Sequence, residues 1–194
     1  GSSLVVDQKT GRRVFIDAVY PDSVLTFNKV AVFARNGIRY MSEQLPGLPF
    51  PYPKITVFCN ANRRGGMEST MMANNGDAAE VWDSDNLTFH EILHNYFPFY
   101  MGTNERKYAW MDEGWAAYLV SGYNDIYSPH YDYFARYVST FQNFNGHEAE
   151  VPPMYLSYQI KNYQAYRTHA YGRPAMAYAF LRNALGDSLF SIAL

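Results

Sequence analysis

Thiol chemistry is almost missing from this chain. Its single cysteine, Cys59, excludes an internal disulfide, a thiolate metal cluster and a dithiol redox pair, and leaves the compartment open. An excess of charge of one sign is missing too. Sixteen Lys and Arg stand against 18 Asp and Glu, a formal net charge of -2, so nothing draws the chain toward nucleic acid or an anionic membrane surface. No apolar run approaches the roughly 18 residues that span a bilayer, and no charged-then-apolar leader opens the chain. Internal repeats, low-complexity tracts and a polar linker are likewise lacking. What is abundant is apolar and aromatic. Of 194 residues, 48% are hydrophobic, with 18 Tyr and 13 Phe, enough for a sizeable core in one domain spanning 1–194.

Gly1-Ser2-Ser3 reads as a remnant of cloning, and Leu194 falls inside an apolar stretch. The sequence is therefore expected to be a piece of a longer protein with flanking domains. Secreted, periplasmic and membrane-anchored parents all fit, and the localisation is unknown.

Along the chain, Val14-Phe15-Ile16-Asp17-Ala18-Val19-Tyr20 reads as a strand leaving a Lys9-Thr10-Gly11 turn. Apolar residues at helical intervals from Ser23 to about Leu45 predict a long amphipathic helix, with Asp22 or Ser23 as its N-cap. Ile55 to Phe58 reads as a second strand, Met67 to Met72 as an edge strand and Ala78 to Trp82 as a weaker strand. Helical patterns follow over Leu87–Tyr96, Met111–Ser121, Tyr131–Phe144 and Arg173–Leu185, the last closed by Gly186 as a C-terminal cap. A β-containing lobe over about 4–86 thus precedes a helical lobe over about 87–194. The fold class expected is α+β, a small mixed sheet packed against helices.

His90-Glu91-Ile92-Leu93-His94 spells H-E-x-x-H within a predicted helix that Asp85 or Asn86 would cap. Residues four apart lie about 40° apart around a helix and one turn along it, so both imidazoles can meet one metal at roughly 2.0 to 2.1 Å. Glu91 sits about 100° round the same turn. Its carboxylate falls beside the metal, where it can take a proton from water and pass it to a leaving amine.

Eighteen residues lie between His94 and Glu113, and Trp110-Met111-Asp112-Glu113-Gly114-Trp115 opens another predicted helix. A loop and an antiparallel return helix fit that gap. Taken alone, Glu113 is a first-turn glutamate favoured by the helix dipole. Paired with H-E-x-x-H, it becomes a third protein ligand that leaves a fourth position open, as a catalytic zinc requires and a structural zinc does not.

The pattern H-E-x-x-H, eighteen residues, then E-G resembles the gluzincin metallopeptidases of the membrane alanyl aminopeptidase (aminopeptidase N) family. Arg64-Gly65-Gly66-Met67-Glu68-Ser69 is similar to that family's G-x-M-E-N segment, and Phe50-Pro51-Tyr52-Pro53-Lys54 to the P-Y-P-K before it. Ala170-Tyr171-Gly172-Arg173-Pro174-Ala175 resembles the family's Y-x-K-G-A segment. Together the matches run over about residues 27 to 186, in the family's order. The departures are Ser69 for the usual Asn, Pro98 for a Gly, and Arg173-Pro174 for Lys-Gly.

The resemblance implies a thermolysin-like zincin domain with one zinc in the cleft between its two lobes. Its ligands would be His90, His94 and Glu113, with Glu91 as general base and Tyr171 as the donor that stabilises the oxyanion. Gly65, Gly66 and Met67 would lie along the bound peptide, and Glu68 would face its free α-amine. The activity implied is zinc-dependent removal of N-terminal residues from peptides. A zinc endopeptidase or other zinc hydrolase, and a non-catalytic peptide-binding module, are the alternatives. His130, His147 and His169 lack ligand spacing and read as surface or hydrogen-bonded residues. His169, two residues before Tyr171, is the one within reach of the oxyanion. Met67, Met71 and Met72 read as gap-filling residues or as one wall of a side-chain pocket.

Overall fold

Alternating burial along Arg13–Val19 and Lys54–Asn60 is the two-residue period of strands that cover a core with one face only. The computed structural model describes residues 1–60 and 65–194; Arg64, which opens the Gly-Gly-Met-Glu segment, lies outside them. The chain divides into two units, Gly1–Tyr96 and Phe97–Leu194. The division falls beyond the boundary expected near 86, so the H-E-x-x-H helix belongs to the unit that holds the sheet.

The first unit is built on a five-stranded mixed sheet of β1 (Ser2–Val6), β2 (Arg13–Val19), β3 (Lys54–Asn60), β4 (Gly66–Ser69) and β5 (Met72–Gly76), in the order β1-β2-β3-β5-β4. Strands β2, β3 and β5 run parallel, and both edge strands are antiparallel to their neighbours. Val14, Ile16, Ile55, Val57 and Ala73 are buried on the face covered by α1 (Val30–Glu43) and α2 (Val81–Leu93). Gly37 lets the two helices approach closely, since a Cβ there would meet the Phe89 ring at 3.3 Å. The opposite face carries Leu4, Val6, Phe15, Val19, Phe58 and Met72, all exposed.

Ser2 and Ser3 are paired in β1. Three readings of this unit need correction. The helix expected from Ser23 starts as a 3-10 turn over Leu25–Lys29, and α1 begins only at Val30; neither Asp22 nor Ser23 caps it. The single strand expected over Met67–Met72 is a hairpin instead. It turns at Met71, which takes a left-handed φ of 63° while its N–H donates to Asn95 Oδ1 at 2.8 Å. The weak strand at Ala78–Trp82 runs into α2, and Asp85 and Asn86 are buried inside that helix. Short polar side chains are usually found at caps because they compete for backbone groups. Here Asn86 Nδ2 bonds Trp82 O at 2.9 Å, and the Thr88 hydroxyl donates to Ser84 O at 2.6 Å and accepts from Asn75 Nδ2 of β5 at 3.2 Å.

The second unit is helical: α3 (Glu113–Tyr127), α4 (Tyr133–Phe144), the short α5 (Tyr163–Arg167), α6 (Arg173–Leu185) and α7 (Asp187–Ala193). A wide turn over Thr168–Gly172 joins α5 to α6. Gly186 ends α6 at a φ of 75°, as expected. An aromatic core of Trp115, Tyr118, Tyr178 and Phe190 joins α3, α6 and α7, with the Trp115 and Tyr178 rings stacked at 3.6 Å. Among the described residues no helix is long and apolar enough to cross a membrane.

Candidate metal centre and active site

Helix α2 carries His90 and His94 one turn apart, the second at the helix C-cap. Their rings lie 4.8 Å apart at 84°, and both residues are buried. Two imidazoles on one helix face, withdrawn from water, form a donor pair suited to zinc.

The register of the sheet brings the acids to the same helix. Glu68 pairs with Ala73 and Gly66 with Asn75, so both share the face covered by α2 and Met67 takes the opposite, exposed face. Gly66 is required by close approach: a Cβ there would overlap the Glu91 carboxylate. Gly65, at a φ of 84°, holds the strand end by accepting from Gly76 N–H at 2.7 Å. An oxygen each from Glu68 and Glu91 and a nitrogen from His94 all lie within 4.8 Å of one another. Two carboxylates that close favour a positive charge between them, from a metal or an ammonium. Met67 and Met72 stand exposed on the outer face of the sheet, away from Glu91.

In the second unit Glu113 is the first residue of α3, following a 3-10 turn over Ala109–Met111. The Tyr171 hydroxyl donates to Glu113 Oε1 at 2.5 Å. Burial, then the neighbouring Glu113 charge and hydrogen bond, push the phenol's pKa far above its ordinary value, so Tyr171 is held as a proton-bearing donor. Gly114 of the E-G pair allows α6 to close on α3, since a Cβ there would come within 2.7 Å of Pro174. Pro174, a departure from the resembled motif, is thus accommodated by packing.

His169 proves to be internal. Its Nε2 lies 3.1 Å from Ser157 Oγ and its Nδ1 3.1 Å from Pro152 O. With both nitrogens engaged, it has nothing to offer an oxyanion. Sequence reasoning missed Ser157, which no motif marks, and Asn95, whose amide fixes the Met71 turn and bonds Ile92 O at 3.1 Å. Only the position of Asn95 directly after His94 could have drawn attention to it.

The chain matches no protein-family model and no curated protein. Its fold is similar to that of solved M1 zinc metallopeptidases from Deinococcus radiodurans. A mutant of that enzyme superposes with a TM-score of 0.68 at 18% identity, over 98% of this chain and 42% of that one. Another structure of the enzyme gives 0.66 at 18% identity, over 98% and 41%. A third, described as bound to a Tyr-Ser-Ala substrate, gives 0.66 at 18% identity over 98% and 42%. The present chain therefore spans about two fifths of the length of the structures it resembles.

Proposed function

We propose that this chain is the catalytic domain of a zinc-dependent peptidase of the M1, aminopeptidase N-like type, acting on the N-termini of peptides. The observation that carries the reading is the assembly on α2: two buried imidazoles a turn apart, with Glu91 set against Gly66 and next to Glu68. The ligands proposed are His90, His94 and Glu113. Zinc bound by them would polarise the scissile carbonyl and make the attacking water more acidic.

Glu91 takes the water's proton and delivers it to the departing nitrogen, a transfer that a carboxylate can make in both directions. Tyr171, whose hydroxyl hydrogen rests on Glu113 Oε1 in this structure, would turn that hydrogen to the developing oxyanion. Being held protonated, it contributes most where negative charge grows. Glu68 pairs with the free α-ammonium of the peptide, while Gly65, Gly66 and the Met67 backbone at the sheet edge offer main-chain hydrogen bonds to an extended substrate. The substrate class is supported by the fold's likeness to an enzyme described with a tripeptide substrate. Flanking domains in the whole protein belong to the same proposal.

The test is hydrolysis of a free tripeptide and its N-acetylated counterpart, before and after chelation and zinc add-back. The reading expects cleavage of the free peptide only, lost on chelation and restored by zinc. Comparable cleavage of both peptides would make the chain an endopeptidase, and activity indifferent to chelation would remove the metal from the account.

A further inference from the structure

Four contacts tie the loop over 150–157 to the turn that carries Tyr171 and to Arg173, the residue that follows that turn. Arg173 pairs with Glu150 and donates to Val151 O at 3.1 Å, His169 Nδ1 faces Pro152 O, and His169 Nε2 faces the Ser157 hydroxyl. A carbonyl only accepts, so Nδ1 carries the imidazole proton and Nε2 accepts from Ser157. Burial lowers the pKa of His169, which keeps the ring neutral and this tautomer in place.

The chain of contacts continues past Ser157. Its Oγ accepts from Ala109 N–H at 3.0 Å, and its N–H donates to Lys107 O at 3.0 Å. Ala109 opens the 3-10 turn that leads into Glu113. His169 therefore links, through one serine, the segment bearing the phenol to the segment bearing the carboxylate that the phenol contacts. A fully buried imidazole with both nitrogens satisfied resists displacement, because breaking either bond strands a polar atom out of reach of water.

We propose that His169 is a positioning residue for the reaction: with the 150–157 loop as a strap, it fixes the Tyr171 hydroxyl relative to the Glu113 carboxylate. This rests on the proposed role of Tyr171 as oxyanion donor. The geometry gives His169 no direct contact with the reacting atoms, so its effect must pass through Tyr171.

Steady-state kinetics of Tyr171→Phe, His169→Ala, Ser157→Ala and the Tyr171→Phe/His169→Ala double variant form the test. His169→Ala is expected to lower kcat on the order of 10- to 100-fold, the scale of a small misplacement of a reacting group, with KM changed by no more than about twofold. Ser157→Ala should move kcat the same way by less, and it carries the test should His169→Ala fail to fold. The double variant should be no slower than Tyr171→Phe, since a strap has nothing left to position. Losses that multiply in the double variant, or a change confined to KM, overturn the inference.

A second readout needs no activity. In the metal-free protein the Tyr171 ring resonances, assigned with Tyr171→Phe, should shift in His169→Ala while those of Tyr123, stacked on Tyr127, stay in place. Unmoved Tyr171 resonances overturn the strap whatever the kinetics. Wild-type turnover by Tyr171→Phe combined with shifted resonances would instead remove the phenol from the proposed function and leave the strap standing.

Discussion

In the first unit the candidate metal ligands come from a single helix, His90 and His94 four residues apart. In the second, Glu113 and the Tyr171 hydroxyl meet across 58 residues of chain. The first arrangement is dictated by helix geometry, and any sequence that forms α2 delivers it. The second exists only because Gly114 lets Pro174 approach, the wide turn at Thr168–Gly172 presents the phenol, and the 150–157 loop holds that turn. Placement by one helix is all-or-none, whereas placement by packing can be lost in degrees. Substitutions in the two units should differ accordingly.

The largest effect is expected from the helix. His90→Ala and His94→Ala should each abolish stoichiometric zinc binding, measured by metal analysis after dialysis, while circular dichroism stays that of the wild type. Full zinc retention by both variants would break the comparison at its first half, because the metal would then lie elsewhere.

Tyr171→Phe sharpens the second half. It should keep zinc and substrate affinity yet lower kcat by about 10² to 10³, the usual scale for one oxyanion donor. A loss confined to KM would contradict the assigned role. If the variant unfolds in a thermal melt, the hydroxyl serves a structural network first.

Glu68→Ala should act most mildly, because it touches the substrate's terminus rather than the reacting bond. A charge-assisted hydrogen bond worth about 1.5 to 3 kcal/mol corresponds to a loss of roughly 10- to 150-fold in kcat/KM on free-amine peptides. Acetylated peptides should be little affected. Equal losses on both would mean that Glu68 supports Glu91 and His94, its neighbours on the same face, rather than the α-amine.

The same contrast explains what was legible in the sequence. Elements with strict periodicity were readable: β2, β3, the edge position of β4, and α6 with its Gly186 cap follow from local pattern and turn chemistry. The helical spacing of His90, Glu91 and His94 was readable for the same reason. Tertiary contacts overrode the local signals elsewhere. Asp85 and Asn86 read as caps of a helix starting near Leu87, yet they lie buried inside α2 with Ser84 and Thr88, where Asn75 of β5 bonds Thr88. Met71 carries no turn signature and is held in its left-handed conformation by a side chain 24 residues away. Gly66 advertised a motif, but its necessity became visible only once β4 stood against Glu91. Ser157 and the strap had no local signal at all, since their partners Lys107, Ala109, Pro152 and His169 are spread along the unit.

Everything proposed for the site turns on Glu91 as the proton carrier of a zinc peptidase whose metal is held by its neighbours on the helix. The measurement that reaches it most directly is peptide turnover by Glu91→Gln at known zinc content. An amide fills the space against Gly66 but cannot accept a proton from water. The account predicts about one zinc per chain, as in the wild type, and a kcat lower by on the order of 10² to 10⁴. Wild-type turnover in a fully zinc-loaded Glu91→Gln protein would contradict it.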